Sequence, residues 1–185
     1  MTKHWFGASG KTSKGSGHPI MYGKPKKAIY FTPFPDGGGY PKGFLEWAFE
    51  LMGVDDPEKV LHLCSGSVCS GTTVDIRKEM GAKIVADCRN TGLPDESFDF
   101  ILADPPYAQD YAENLYGTGK DYPKPGEILK EASRLLKVGG KVGILHFLVP
   151  MFRKPLKLLG VWGITTGCGY SIRAWSLFEK LEREI

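Results

Sequence analysis

Five short apolar runs, each closed by turn-forming residues and set among segments of helical spacing, constrain this 185-residue chain more than any other feature. They are Val60 to Cys64, Thr72 to Ile76, Lys83 to Ala86, Phe98 to Ala103 and Lys141 to Leu148. Continuous apolar runs of roughly four to eight residues read as strands buried on both faces, the condition of a parallel sheet covered by helices. The covering helices are visible too. Lys42 to Met52 spaces Phe44, Leu45, Trp47, Ala48 and Leu51 along one helical face and stops at Gly53, and Ile128 to Leu136 repeats the pattern before Gly139 and Gly140. Beyond the fifth run, Leu158 to Thr166 and Ile172 to Glu179 read as extended segments joined by the turn-like GCGYS, a closing hairpin with an antiparallel strand. The expected fold is therefore α/β, a mainly parallel sheet with an antiparallel C-terminal hairpin strand. One connection is anomalous. Ser65 to Gly71 is too short for a crossover helix of about ten residues, so either that helix is missing or the second strand lies elsewhere.

An apolar content of 42% over this length supports one core, and we expect a single domain at 28–185 behind a basic arm at 1–27. The arm holds Lys3, Lys11, Lys14, Lys24, Lys26 and Lys27 and no acid, whereas the remainder carries 18 basic against 21 acidic residues. Such an arm suits phosphate binding by counterion release, and equally a solvated tail. Within it, GASGKTSKG fails as a phosphate loop, because Trp5 stands where the first glycine of that motif would be. The longest apolar run, Val142 to Phe152, is interrupted by His146 and Pro150 and is far shorter than the ~20 residues a membrane helix needs. No signal-like segment opens the chain, so a soluble, cytoplasmic protein is expected. Cys64, Cys69, Cys88 and Cys168 form no CxxC pair and the histidines are scattered, so no metal site is expected.

The densest chemistry is Asp104-Pro105-Pro106-Tyr107, directly after the strand FDFILA. In an open α/β sheet the carboxyl ends of strands form the ligand crevice, which puts this tetrapeptide on its lip. The prolines stiffen the backbone, so that the Asp104 carboxylate and the Pro105 carbonyl can face one point. Both are acceptors, and an exocyclic amino group offers two donors. Tyr107 adds a flat face for stacking. The same four residues would also serve as a plain strand-ending turn.

At this point the chain resembles the class I S-adenosylmethionine-dependent amino-methyltransferases that carry a DPPY motif, a group that includes DNA adenine-N6 and cytosine-N4 enzymes. The likeness runs over roughly Ile29 to Lys180. It implies a Rossmann-like class I methyltransferase fold and S-adenosyl-L-methionine as cofactor. It further implies a cofactor loop in VLHLCSGSV, with Cys64, Ser65, Gly66 and Ser67 at the turn. Asp75, with Ile76 beside it, would hold the ribose; Asp87 would meet the adenine amino group, with Cys88 as a backbone contact. Phe31, Thr32 and Pro33 resemble an amino-terminal cofactor-contacting motif, and Asp104, Pro105, Pro106 and Tyr107 would be the catalytic set. His62 departs from the family in replacing an acid, and no separate target-recognition domain is expected in the chain.

The reaction so implied is methyl transfer to an exocyclic amino nitrogen of a flipped or single-stranded nucleic-acid base, adenine N6 of DNA first. DNA is favoured over RNA as partner, with recognition supplied by a separate subunit or by the arm. The alternatives are an RNA base, a free nucleotide, a small-molecule or protein-amide N-methyltransferase, and a non-catalytic cofactor-binding subunit. Ala108 to Pro125, rich in Gly and Tyr, reads as a flap over the target pocket. His146 reads as a satisfied core histidine.

Overall fold

The computed structural model describes residues 40–114, 122–166 and 171–182. The arm, Phe31, Thr32, Pro33, Cys168, most of the GCGYS turn and residues 115–121 of the proposed flap lie outside these residues. In chain order the elements are α1 (Phe44–Met52), β1 (Val60–Leu63), β2 (Thr72–Asp75), β3 (Ile84–Val85), β4 (Phe98–Ala103), α2 (Gln109–Asn114), α3 (Pro125–Leu135), β5 (Leu136–His146), β6 (Leu156–Ile164) and β7 (Arg173–Lys180).

The strands form one seven-stranded sheet in the order β3-β2-β1-β4-β5-β7-β6. Strands β3, β2, β1, β4 and β5 are mutually parallel, and β7 runs against its neighbours β5 and β6. The antiparallel strand thus sits inside the sheet and β6 forms the edge. Between β1 and β2 only 64–71 intervene with no helix, while Leu61 pairs with Thr72 and Leu63 with Val74. The second strand is where the sequence puts it, and the crossover helix is what is missing.

Alternation along the strands divides the core into two layers. Leu61, Leu63, Ile101, Ala103, Val142 and Ile144 pack with Ile128, Leu129, Ala132 and Leu135 of α3. Val60, Leu102, Leu145, Trp175 and Leu177 pack on the opposite face with Phe44, Ala48 and Met52 of α1. The Trp175 ring lies across Gly143, where an added Cβ would stand 1.9 Å from it. That glycine is a packing requirement.

One boundary differs from the sequence expectation. Helix α3 ends at Leu135, short of Gly139 and Gly140, and β5 starts at once with Leu136 paired to Phe98. Leu136 is fully buried, and sheet pairing there outweighs the helical pattern. Lys137 to Gly140 then bulge opposite Asp99 before pairing resumes at Phe100 and Lys141, with Gly139 at φ 79° supplying the left-handed turn.

Candidate active site

Strand order reverses between β1 and β4, and the parallel register sets Leu63 opposite Ala103. The next residues, Cys64 and Asp104, therefore leave the sheet side by side. The cofactor-like loop and the DPPY turn meet at the switch point.

On the β1 side the chain turns back sharply, with Cys64 at φ 54° and Gly66 at φ 52°. Ser65 N–H donates to the Val74 carbonyl at 3.0 Å, and Gly66 N–H donates to Asp75 Oδ2 at 2.9 Å. Asp75, 4% exposed, also accepts from Arg77 N (2.9 Å), Nε (3.1 Å) and Nη2 (3.3 Å). Its carboxylate stands at the end of β2 and braces the glycine loop; a ribose would share it with Arg77. Ile76 beside it is 52% exposed, an apolar side chain at the crevice edge. Ser67 is exposed on the same loop.

The turn after β3 repeats the device. Asp87 accepts from Arg89 N (2.8 Å), Nε (3.0 Å) and Nη2 (2.6 Å), and these bonds hold its carboxyl below the usual range against the opposing effect of burial. Cys88 is buried against Cys64, and their thiol contact, together with burial, pushes the Cys64 thiol well up. Two Asp-x-Arg turns therefore follow consecutive strands. The motif is plain in DIR and DCR, and a reading that treats each acid by itself misses it.

On the β4 side Asp104 is half-buried, and desolvation pushes its carboxyl up to about 7, with the Tyr107 hydrogen bond and the Arg173 charge pulling the other way. Tyr107 Oη donates to Asp104 Oδ1 at 2.6 Å and accepts from Arg173 Nη1 at 3.0 Å. The Tyr107 ring meets His146 edge-on at 5.6 Å and Phe147 at 4.6 Å, with the Arg173 guanidinium 5.9 Å from its centre. Pro105 is buried and Pro106 half-buried, as a stiffened turn requires. His146 Nδ1 accepts from Leu148 N–H at 3.0 Å and burial lowers its pKa, but its buried Nε2 has no partner among the described residues, so it is a core imidazole satisfied at one nitrogen and not at both.

Tyr40, Phe147 and Arg173 also border the site, and the sequence reading does not pick them out. Tyr40 stacks on Phe44 at 5.3 Å, and its buried phenol is pushed up by desolvation and by the charge of Asp104. Its hydroxyl and Ser65 Oγ have no hydrogen-bond partner among the described residues. Buried polar atoms without partners want a water or a ligand atom, so these two fit a polar cofactor lying against the β1 loop. His62 is different. Both its nitrogens are unpartnered but packed between Tyr40 and Phe49, and burial lowers it to about 4, an aromatic core residue.

No family profile matches the chain, and no curated protein sequence does. Solved structures do. TrmN from Thermus thermophilus superposes with a TM-score of 0.56 at 20% identity over 78% of this chain and 50% of its own. The protein yhhF from Escherichia coli gives 0.51 at 11% identity over 82% and 92%. YcgJ from Bacillus subtilis gives 0.50 at 13% identity over 75% and 98%. The fold is the Rossmann-like fold of class I methyltransferases. The chain spans about half the length of TrmN.

Proposed function

We propose that the chain is an S-adenosylmethionine-dependent methyltransferase whose target is an exocyclic amino nitrogen of an unpaired nucleic-acid base, adenine N6 of DNA before RNA. The observation that carries this reading is the half-buried Asp104 carboxyl at the switch point, one strand from the glycine loop and hydrogen-bonded to Tyr107. Ser65, Gly66, Asp75, Ile76, Asp87 and Cys88 would hold the cofactor, with Phe31, Thr32 and Pro33 joining from the amino-terminal side. When bound it supplies an electrophilic methyl on a sulfonium. The chain's own part is to prepare the nitrogen. An aromatic amine is a poor nucleophile because its lone pair is shared with the ring, and acceptance of its two N–H bonds by Asp104 and the Pro105 carbonyl localises that pair. The localised lone pair would take the methyl that the cofactor supplies, and the proton lost by the nitrogen would pass to the Asp104 carboxylate. Both bonds strengthen as positive charge grows on nitrogen, the condition for lowering the barrier.

The deciding experiment offers radiolabelled cofactor with single-stranded DNA, duplex DNA, tRNA and rRNA, then digests to nucleosides. Label in an N-methylated base, greatest with single-stranded DNA, is the expected result. Cofactor binding without label in any base would refute the nucleic-acid reading.

A further inference from the structure

The Tyr107 hydroxyl has one proton and directs it to Asp104, while its lone pair takes a hydrogen bond from Arg173. Arg173 is 5% exposed, and Tyr107 is one of the groups that its guanidinium meets. Its place follows from topology. Strand β7 is antiparallel to β5, so its first residue arrives at the carboxyl edge of the parallel strands, where Ala174 pairs with His146 and Arg173 with Ile164. A parallel β7 would have carried residue 173 to the opposite edge. Among the described residues, the groups that face Asp104 include Tyr40, Cys64, Tyr107 and Arg173. Burial holds the proton on Tyr40 and Tyr107, and on Cys64 the Cys88 contact does so first with burial adding, so Arg173 is the cation in the set.

We propose that Arg173 is a positioning residue for the reaction at Asp104: acting through the Tyr107 hydroxyl, it keeps the carboxylate charged and turned toward the target nitrogen. The chemical role rests on the amino-acceptor reading above; the coupling of the three side chains does not. A protonated Asp104 has lost acceptor capacity and cannot take the proton that the nitrogen releases. Arg173 thus sets the pH above which the site works.

The test labels aspartate carboxyl carbons with ¹³C and follows Asp104, assigned by its loss in Asp104→Asn, through a pH titration of the whole chain. Arg173→Gln should move the Asp104 midpoint upward by about one pH unit and Tyr107→Phe should move it in the same direction, with Arg173→Lys close to wild type. In parallel, Arg173→Gln should lower kcat about tenfold at neutral pH, shift the acid limb of kcat by the same interval and leave KM for the target unchanged. An Asp104 midpoint that stays in place in Arg173→Gln overturns the proposal whatever Tyr107→Phe does, and Arg173→Met decides it in the same way if Arg173→Gln fails to fold. A midpoint that moves in Arg173→Gln while the wild-type chain transfers no methyl to any base overturns the functional reading and leaves the coupling established.

Discussion

The two lips of the crevice handle their acids in opposite ways. Along β1, β2 and β3, Asp75 and Asp87 each meet an arginine two residues further on, directly and through several hydrogen bonds. Along β4, β5 and β7, Asp104 meets its arginine through a tyrosine hydroxyl, and burial drives its carboxyl up to about 7. Arginine pairing holds the Asp87 carboxyl below the usual range, and both directly paired carboxylates suit bracing a turn or holding hydroxyls. A buried one that is paired at one remove can exchange a proton near neutral pH, which is what general acid–base chemistry asks of it.

The largest consequence is expected at Asp104. Asp104→Ala should reduce turnover by ~100-fold or more while cofactor affinity stays close to wild type, by analogy with the loss of a transition-state hydrogen bond. Asp75→Ala should do the reverse, weakening cofactor binding by roughly 1.5 to 3 kcal/mol because the charged acceptor that holds Gly66 is gone. Single-turnover rates and calorimetry on the two variants separate the lips. Equal loss of affinity in both would erase the division between them.

Stability should divide the same way with pH. The folded Asp104 carboxyl, at about 7, lies above its unfolded value, so between roughly pH 4 and 7 the folded chain holds a proton that the unfolded chain has released. Stability from this group falls as pH rises through that window. Asp104→Asn should therefore be more stable than wild type at pH 8, by up to a few kcal/mol, and nearly equal to it at pH 4. Asp87 is depressed, so its contribution is present above the unfolded carboxylate value and disappears as pH falls through its folded value. Thermal melts from pH 2 to 8 should thus show Asp104→Asn gaining on wild type as pH rises from 4 to 8, and Asp87→Asn lying below wild type above about pH 4 and converging on it below that; the reverse order would contradict the assignment.

Local chemistry explains what of this is legible in the sequence. Strand β4 matches its apolar run residue for residue, and the β1, β2 and β3 runs lie within two residues of the strands, because period and burial there are set by neighbours in the chain. The end of α3 is not legible, since pairing of Leu136 with Phe98 decides it from 38 residues away. Asp104 and its place at the crevice can be read from FDFILADPPY, and Tyr107 can be read as a ring. The tyrosine's hydroxyl cannot, because its partner Arg173 is 66 residues distant and arrives only when β7 inserts between β5 and β6. The Asp-x-Arg pairs are the converse, local in sequence and recoverable from two triplets.

The smallest effect should come from Arg89. The Asp87 and Arg89 side chains are 32% and 25% exposed, and ion pairs with that access to water contribute about 0 to 1 kcal/mol. Water can replace much of what the guanidinium supplies. Arg89→Gln should accordingly shift the Asp87 titration only slightly upward and weaken cofactor binding less than about fivefold. Lowered salt should enlarge the difference, because the pair is screened by solvent ions, whereas the half-buried Arg173–Tyr107–Asp104 chain, anchored on a buried guanidinium, should respond less to salt. The comparison is made by titrating Arg89→Gln and Arg173→Gln at low and high ionic strength. If Asp87 moves as far as Asp104, or if the Arg173 effect vanishes in salt, the two lips do not differ in the way their geometry implies.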